Sequence, residues 1–205
     1  MKSIAESFAF RNRGKVGFVL VAPLVVSLVF SYPMIEENSP IGIVLTSLGW
    51  LVFGLYLTIR IWATLFIGSR KDSELQSDGP YSMTRNPLYV GTFCFALSSV
   101  LLFKSITLAF VVVVWFLFYS RLVVRAEERF LAGKFGTKFA SYRERTPSFL
   151  PSFSRFHSPD SVCVSLDALR AEAKRLWTAF LFPVTVEIMM QLRVSPGWPH
   201  WFRIP

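Results

Sequence analysis

Apolar residues along this chain come in long runs separated by short charged stretches, without the strict alternation of a half-buried strand. Val16–Tyr32 is apolar apart from Ser27 and Ser31, and it holds Pro23, which neighbouring helices or water accommodate in a membrane helix. Ile41–Ile59 resumes as Ile61–Ile67 after one interruption at Arg60. Leu88–Phe103 and Ile106–Tyr119 are separated only by Lys104 and Ser105, which predicts a tight helical hairpin. Each run is about 14–19 residues, slightly short of the roughly 20 needed to cross a bilayer. Flanking Tyr, Trp, Lys and Arg extend them into the interface. Four membrane helices follow.

Beyond the hairpin the pattern changes. Phe149–Asp160 is rich in Pro, Ser and Phe and reads as a loop. Ser165–Trp177 predicts a helix with Ser165 as N-cap, Asp167 near its start, and Lys174 and Arg175 near its end, matching the helix dipole. The apolar stretch after it is only about 13 residues and holds Pro183 and Glu187, which suits an interfacial or re-entrant segment, with a fifth span as the alternative. Trp198 and Trp201 read as interface anchors. The predicted fold is an all-α membrane protein, a bundle of four or five transmembrane helices forming a single integral membrane domain over residues 1–205. Its C-terminal segment, 165–205, is amphipathic or interfacial.

Composition agrees with that class. The chain has 205 residues, 53% of them hydrophobic and 21 of them Phe, with mean hydropathy +0.47, far too apolar for an ordinary soluble domain. Its net charge of +9 is distributed by topology. Lys2, Arg11, Arg13 and Lys15 precede the first run, while the next loop carries Glu36 and Glu37 and no Lys or Arg. Arg70, Lys71 and Arg85 follow the second run, and Arg121, Arg125, Arg129, Lys134 and Lys138 follow the fourth. The positive-inside rule places the N-terminus, the 68–87 loop and the chain just after Tyr119 in the cytoplasm. Anionic headgroups account for the surplus charge, and no nucleic-acid-binding motif is present. The first run is read as a retained signal anchor, because no small-residue cleavage site follows it. Cys94 and Cys163 fit no disulfide, metal or redox pattern.

Two polar clusters bracket the hairpin. The first is GPYSMTRNPLYVG, Gly79–Gly91; there Pro87 suits the first turn of the third span, with Asn86 as N-cap. The free N–H groups of that helix end and the planar fork of Arg85 suit a carboxylate or phosphate, while snorkelling of Arg85 to headgroups is the plainer reading. The second is Glu127-Glu128, two carboxylates read as the C-terminal end of a helix, which cations must offset. Arg121, Arg125 and Arg129 recur every four residues, and Glu128 lies near their stripe. An ion-paired helix end is the plainer reading here, a cation-binding carboxylate the sharper one.

The two clusters together resemble the isoprenylcysteine carboxyl methyltransferase and phospholipid methyltransferase superfamily, whose members show G-x-Y, R-H-P-x-Y-x-G, and then E-E-x-x-L-x-x-x-F-G-x-x-Y-x-x-Y and a proline. This chain has Gly79, Tyr81, Arg85, Pro87, Tyr89 and Gly91, then Glu127, Glu128, Leu131, Phe135, Gly136, Phe139, Tyr142 and Pro147. Asn86 stands for His and Phe139 for the first Tyr. The match covers Arg60–Pro151, with the motifs in 79–151. The resemblance implies an S-adenosylmethionine-dependent methyl transfer in a cytoplasm-facing pocket made by the Tyr81–Tyr89 and Glu127–Tyr142 segments. Tyr81, Arg85, Asn86, Pro87, Tyr89, Glu127 and Glu128 would bind the cofactor, with Arg85 and Glu128 the pair that catalysis depends on. Tyr142, Arg143 and Arg145 would meet the substrate, and no metal is implied. The expected partners are the bilayer and a lipophilic or small methyl acceptor; lipid amine, lipid carboxylate and small thiol all stay open. A membrane reductase of the sterol-reductase type using NADPH, and a non-catalytic membrane protein, are the alternatives.

Overall fold

The computed structural model describes residues 22–68 and 74–201. The start of the first predicted span, the basic residues before it, and Arg70 and Lys71 lie outside that set. The described residues are helical, with no β-strand. In order they form α1 (residues 22–29), α2 (Pro40–Ile67), α3 (Pro80–Met83), α4 (Pro87–Phe103) and α5 (Ile106–Tyr119). A π-helical turn at Ser120–Val124 follows, then α6 (Arg125–Phe135), α7 (Thr137–Arg145), a 3-10 turn at Phe153–Arg155 and α8 (Leu166–Arg193).

Among the described residues, two helices are long and apolar enough to cross a membrane: Pro40–Ile67 and the continuous run Ile106–Phe135. Pro87–Phe103 is a shorter apolar helix. The outer surface of α5 is itself apolar, with Phe110, Val113, Val114, Leu117 and Phe118 all exposed. A contiguous exposed face of this kind suits lipid rather than water.

The described residues fall into two compact units. One comprises those up to Trp50, Leu97–Glu127 and those from Phe182 onward. Its core joins Leu28 of α1, Leu102 and Phe103 of α4, Leu108 of α5, and Val186 and Met190 of α8. The two-residue turn between α4 and α5 works because Lys104 adopts a left-handed conformation, φ 52°. Ser105 then caps α5 by accepting from the Leu108 N–H. The Lys104 ammonium pairs with Glu37, both side chains being at most 4% exposed. Arg193, at the end of α8, donates from Nε to the Ser31 carbonyl at 2.6 Å and from Nη2 to Ser31 Oγ at 2.9 Å. Trp198 and Trp201 both stack on Phe30.

The other unit comprises Leu51–Ala96 and Glu128–Leu181. Ala63, Phe66 and Tyr81 form one core cluster, and Phe53, Tyr56, Phe95 and Phe180 an aromatic one. The interruption at Arg60 is answered from α8: Arg60 Nε donates to Glu172 Oε1 at 2.6 Å, and Arg175 Nη1 to Glu172 Oε2 at 2.8 Å. Glu172 is 4% and Arg60 14% exposed, so this is a buried pair whose members depend on each other. Gly91 makes room for it, because a Cβ there would sit 3.0 Å from Arg60 Cγ.

Three local expectations need correction. The helix carrying Glu127 and Glu128 does not end there; it runs on to Phe135, so no terminal dipole opposes the pair. The π turn at Ser120–Val124 also widens the spacing just before them, so Arg121 and Arg125 are not stacked one ordinary α-turn apart. In the C-terminal region the charged helix and the apolar stretch are one helix of 28 residues with Pro183 inside it. The missing Pro183 N–H removes one bond but does not end the helix. Its predicted start holds, for the Ala168 N–H donates to Ser165 Oγ at 3.2 Å.

Candidate functional site

The first polar cluster opens on a glycine for steric reasons. Gly79 has φ +59°, and a Cβ there would lie 2.4 Å from the Phe66 ring. After it, Pro80, Tyr81, Ser82 and Met83 make the single buried turn of α3. The chain 79–86 then runs antiparallel to 147–157, tied by three backbone bonds. The N–H of Arg85 donates to the Pro147 carbonyl at 2.8 Å, that of Ser152 to Met83 at 3.0 Å, and that of Gly79 to His157 at 2.8 Å. Pro87 follows at the start of α4 and is fully buried. The N–H groups of Tyr89 and Val90 donate to the Asn86 carbonyl at 3.0 Å, which puts Asn86 at the N-cap position. Tyr89 is half-buried.

Arg85 sits between two elements. Its Nε donates to Glu128 Oε1 at 2.9 Å. Its Nη1 donates to the carbonyls of Arg143 at 2.9 Å and Thr146 at 2.5 Å. These are acceptors at the end of α7 that no further helical turn would satisfy. Glu128 Oε1 also accepts from Ser148 Oγ at 3.3 Å and Asn86 Nδ2 at 3.4 Å. Asn86 Nδ2 is held in turn by the Ser148 carbonyl at 3.0 Å, which also accepts from Thr84 Oγ1 at 3.0 Å. One carboxylate oxygen therefore gathers three donors from two chain segments. Among the described residues, Arg85 Nη2 and Glu128 Oε2 take part in no hydrogen bond.

Tyr142 is buried, and its hydroxyl donates to the Tyr81 carbonyl at 2.7 Å. Burial pushes the phenol well above its ordinary value; Arg85 lowers it, while Glu128 and Asp78 push it further up. It is a fixed hydrogen-bond donor at neutral pH. Arg143 and Arg145 have exposed side chains, and Arg145 Nε turns back to the Ser141 carbonyl at 3.2 Å.

The structure therefore brings Tyr81, Arg85, Asn86, Pro87, Glu128 and Tyr142 into one compact unit, while Glu127 belongs to the other. Thr84, Thr146 and Ser148 also belong to the cluster and escaped the sequence reading. The signal for Ser148 was its place directly after Pro147, the last residue of the recognised motif. Arg60 offered the signal for Glu172, since an arginine within an apolar run requires a buried partner.

The profile of the family described as Phospholipid methyltransferase matches residues 38–138. That range holds Arg85, Asn86 and Glu128 and stops short of Tyr142 and Ser148. The nickel-cobalt-cadmium resistance protein NccN of Alcaligenes xylosoxydans xylosoxydans is 31% identical over 98% of this chain and 93% of its own length. The cobalt-zinc-cadmium resistance protein CzcN of Cupriavidus metallidurans is 31% identical over 84% of this chain and 79% of its own. The protein-S-isoprenylcysteine O-methyltransferase of Schizosaccharomyces pombe is 35% identical over 52% of this chain and 48% of its own. No solved structure matches the chain. The matching family profile, the isoprenylcysteine O-methyltransferase relative and the bracketing motifs agree: the chain belongs to the isoprenylcysteine carboxyl methyltransferase and phospholipid methyltransferase superfamily.

Proposed function

We propose that the protein methylates a lipophilic or membrane-associated acceptor with S-adenosylmethionine as donor, at the corner made by Arg85, Asn86 and Glu128. The observation that carries this reading is the half-used ion pair: each partner keeps one polar atom without a hydrogen bond among the described residues. The amino-acid end of the donor carries a carboxylate and an ammonium. Arg85 Nη2 suits the first and Glu128 Oε2 the second. The N-terminus of α4 beside them adds positive potential for the carboxylate.

The donor supplies a methyl group already activated on a sulfonium. The protein's own work is binding, orientation and exclusion of water. Asn86 and Ser148 fix Glu128 so that it meets a cation without reorganising. Tyr142, through the Tyr81 carbonyl, holds the α3 turn and serves as a positioning residue. Tyr89, Glu127, Arg143 and Arg145 stay in the proposal as flanking contacts, the two arginines for an anionic headgroup. A carboxylate or thiolate acceptor attacks as it is, whereas an amine must first be neutral. The metal-resistance names of two relatives describe those proteins and name no methyl acceptor.

In this reading the chain is a multi-pass membrane protein of four or five spans, with its N-terminus and the corner on the cytoplasmic side. A structural staple is the competing reading, favoured by the two bonds from Arg85 Nη1 to the end of α7. Incubating membranes containing the protein with radiolabelled S-adenosylmethionine decides between them. Label entering lipid, protein or a volatile product above the level of an Arg85→Lys variant supports methyl transfer. Equal labelling of both above background would leave Arg85 only the staple role, and no label from either would end the methyl-transfer reading.

A further inference from the structure

Beside the corner the chain displays large apolar side chains that none of the described residues covers. Leu150 is 84% and Phe153 77% exposed, and Phe156 is half exposed. They are presented by a fixed segment. Its flanks are bonded to 79–85 through Pro147 and His157, and its middle through Ser152 and Met83, while the 3-10 turn Phe153–Arg155 carries the centre. Holding such side chains in water by defined backbone bonds is unfavourable unless something apolar receives them.

Two further observations name the receiver. The Phe156 ring packs against Trp62 at 5.9 Å between centroids. Trp62 lies five residues before the end of α2, one of the two helices among the described residues able to cross a membrane. That places Trp62, against which the Phe156 ring packs, about 7.5 Å along the helix axis from the end of α2, at the depth of an interfacial aromatic. Between residues 143 and 155 the chain also carries Arg143, Arg145 and Arg155 against Glu144 alone, all exposed. Apolar tips backed by cations match a leaflet with anionic headgroups.

We infer that residues 149–156 form a lip embedded in the headgroup–acyl boundary of an anionic leaflet. This embedding does not rest on the methyltransferase reading.

The test uses the full chain with Cys94→Ala and Cys163→Ser in nanodiscs of phosphatidylcholine, with or without phosphatidylglycerol. A nitroxide is placed at Phe153→Cys, with Glu144→Cys for comparison. At 153, collisions with oxygen should exceed those with a water-soluble nickel chelate, and phosphatidylglycerol should reduce nickel access further. At 144 the order should reverse. Nickel reaching 153 as freely as 144 in both lipids overturns the lip. Exclusion of both reagents from 153, with spin–spin broadening, would show a second copy covering it and overturn it equally. Embedding that ignores phosphatidylglycerol overturns the anionic preference.

Discussion

Glu128 gathers Arg85, Asn86 and Ser148 on one oxygen and keeps the other for a ligand in our reading. Glu128→Gln keeps the shape and removes the charge. Affinity for S-adenosylhomocysteine should fall by about 1–3 kcal/mol, as for a lost charge-assisted hydrogen bond. Glu127→Gln should change it far less. Titration calorimetry on both variants checks this, and equal effects would remove the distinction between the two glutamates. Tyr142 gives a second prediction. Its phenol is raised by burial, so the stability it contributes is complete below about pH 10, the unfolded value, and is lost as pH rises through the higher folded value. The thermal unfolding temperature should fall above that pH in the wild type, and Tyr142→Phe should flatten part of the decline. At this scale the sequence was informative where chemistry is unusual. Arg85 and Glu128 are costly residues near a membrane and announce themselves. Ser148 does not, because a serine in a polar loop is ordinary until its hydroxyl is seen on a carboxylate.

Helix patterns were legible where apolar length alone decides, as in the turn at Lys104–Ser105. They were less legible where a local signal competes with tertiary packing. Pro183 and Glu187 suit an interfacial or re-entrant segment, yet Pro183 is fully buried within α8, where Val186 and Met190 after it are core. The π turn has no sequence signature at all, since it is one extra residue accommodated within a helix. The buried pair joining α2 to α8 yields a prediction at this scale. Glu172→Gln leaves Arg60 without its counter-charge and should cost about 3–5 kcal/mol of stability. Arg60→Met combined with Glu172→Leu should recover most of that loss, as read by thermal unfolding in detergent. Gly79→Ala should be destabilising by about 1–3 kcal/mol from its positive φ alone, before the clash with Phe66 is added.

For the whole molecule, the bias of basic residues predicts which side each loop occupies. Thr137→Cys should react with a membrane-impermeant reagent only from the cytoplasmic side, and Asn38→Cys only from outside. Both positions are exposed in the structure. Labelling of Thr137→Cys from outside would take the corner out of reach of cytoplasmic S-adenosylmethionine. Whether the Arg85–Glu128 corner holds that donor is decided by titrating purified protein with S-adenosylhomocysteine and, separately, with NADPH. Saturable binding of the first, none of the second, and a marked loss in Arg85→Lys, which keeps the charge without the planar fork, are expected. Binding of NADPH instead, or undiminished S-adenosylhomocysteine binding by a folded Arg85→Lys protein, would contradict that reading.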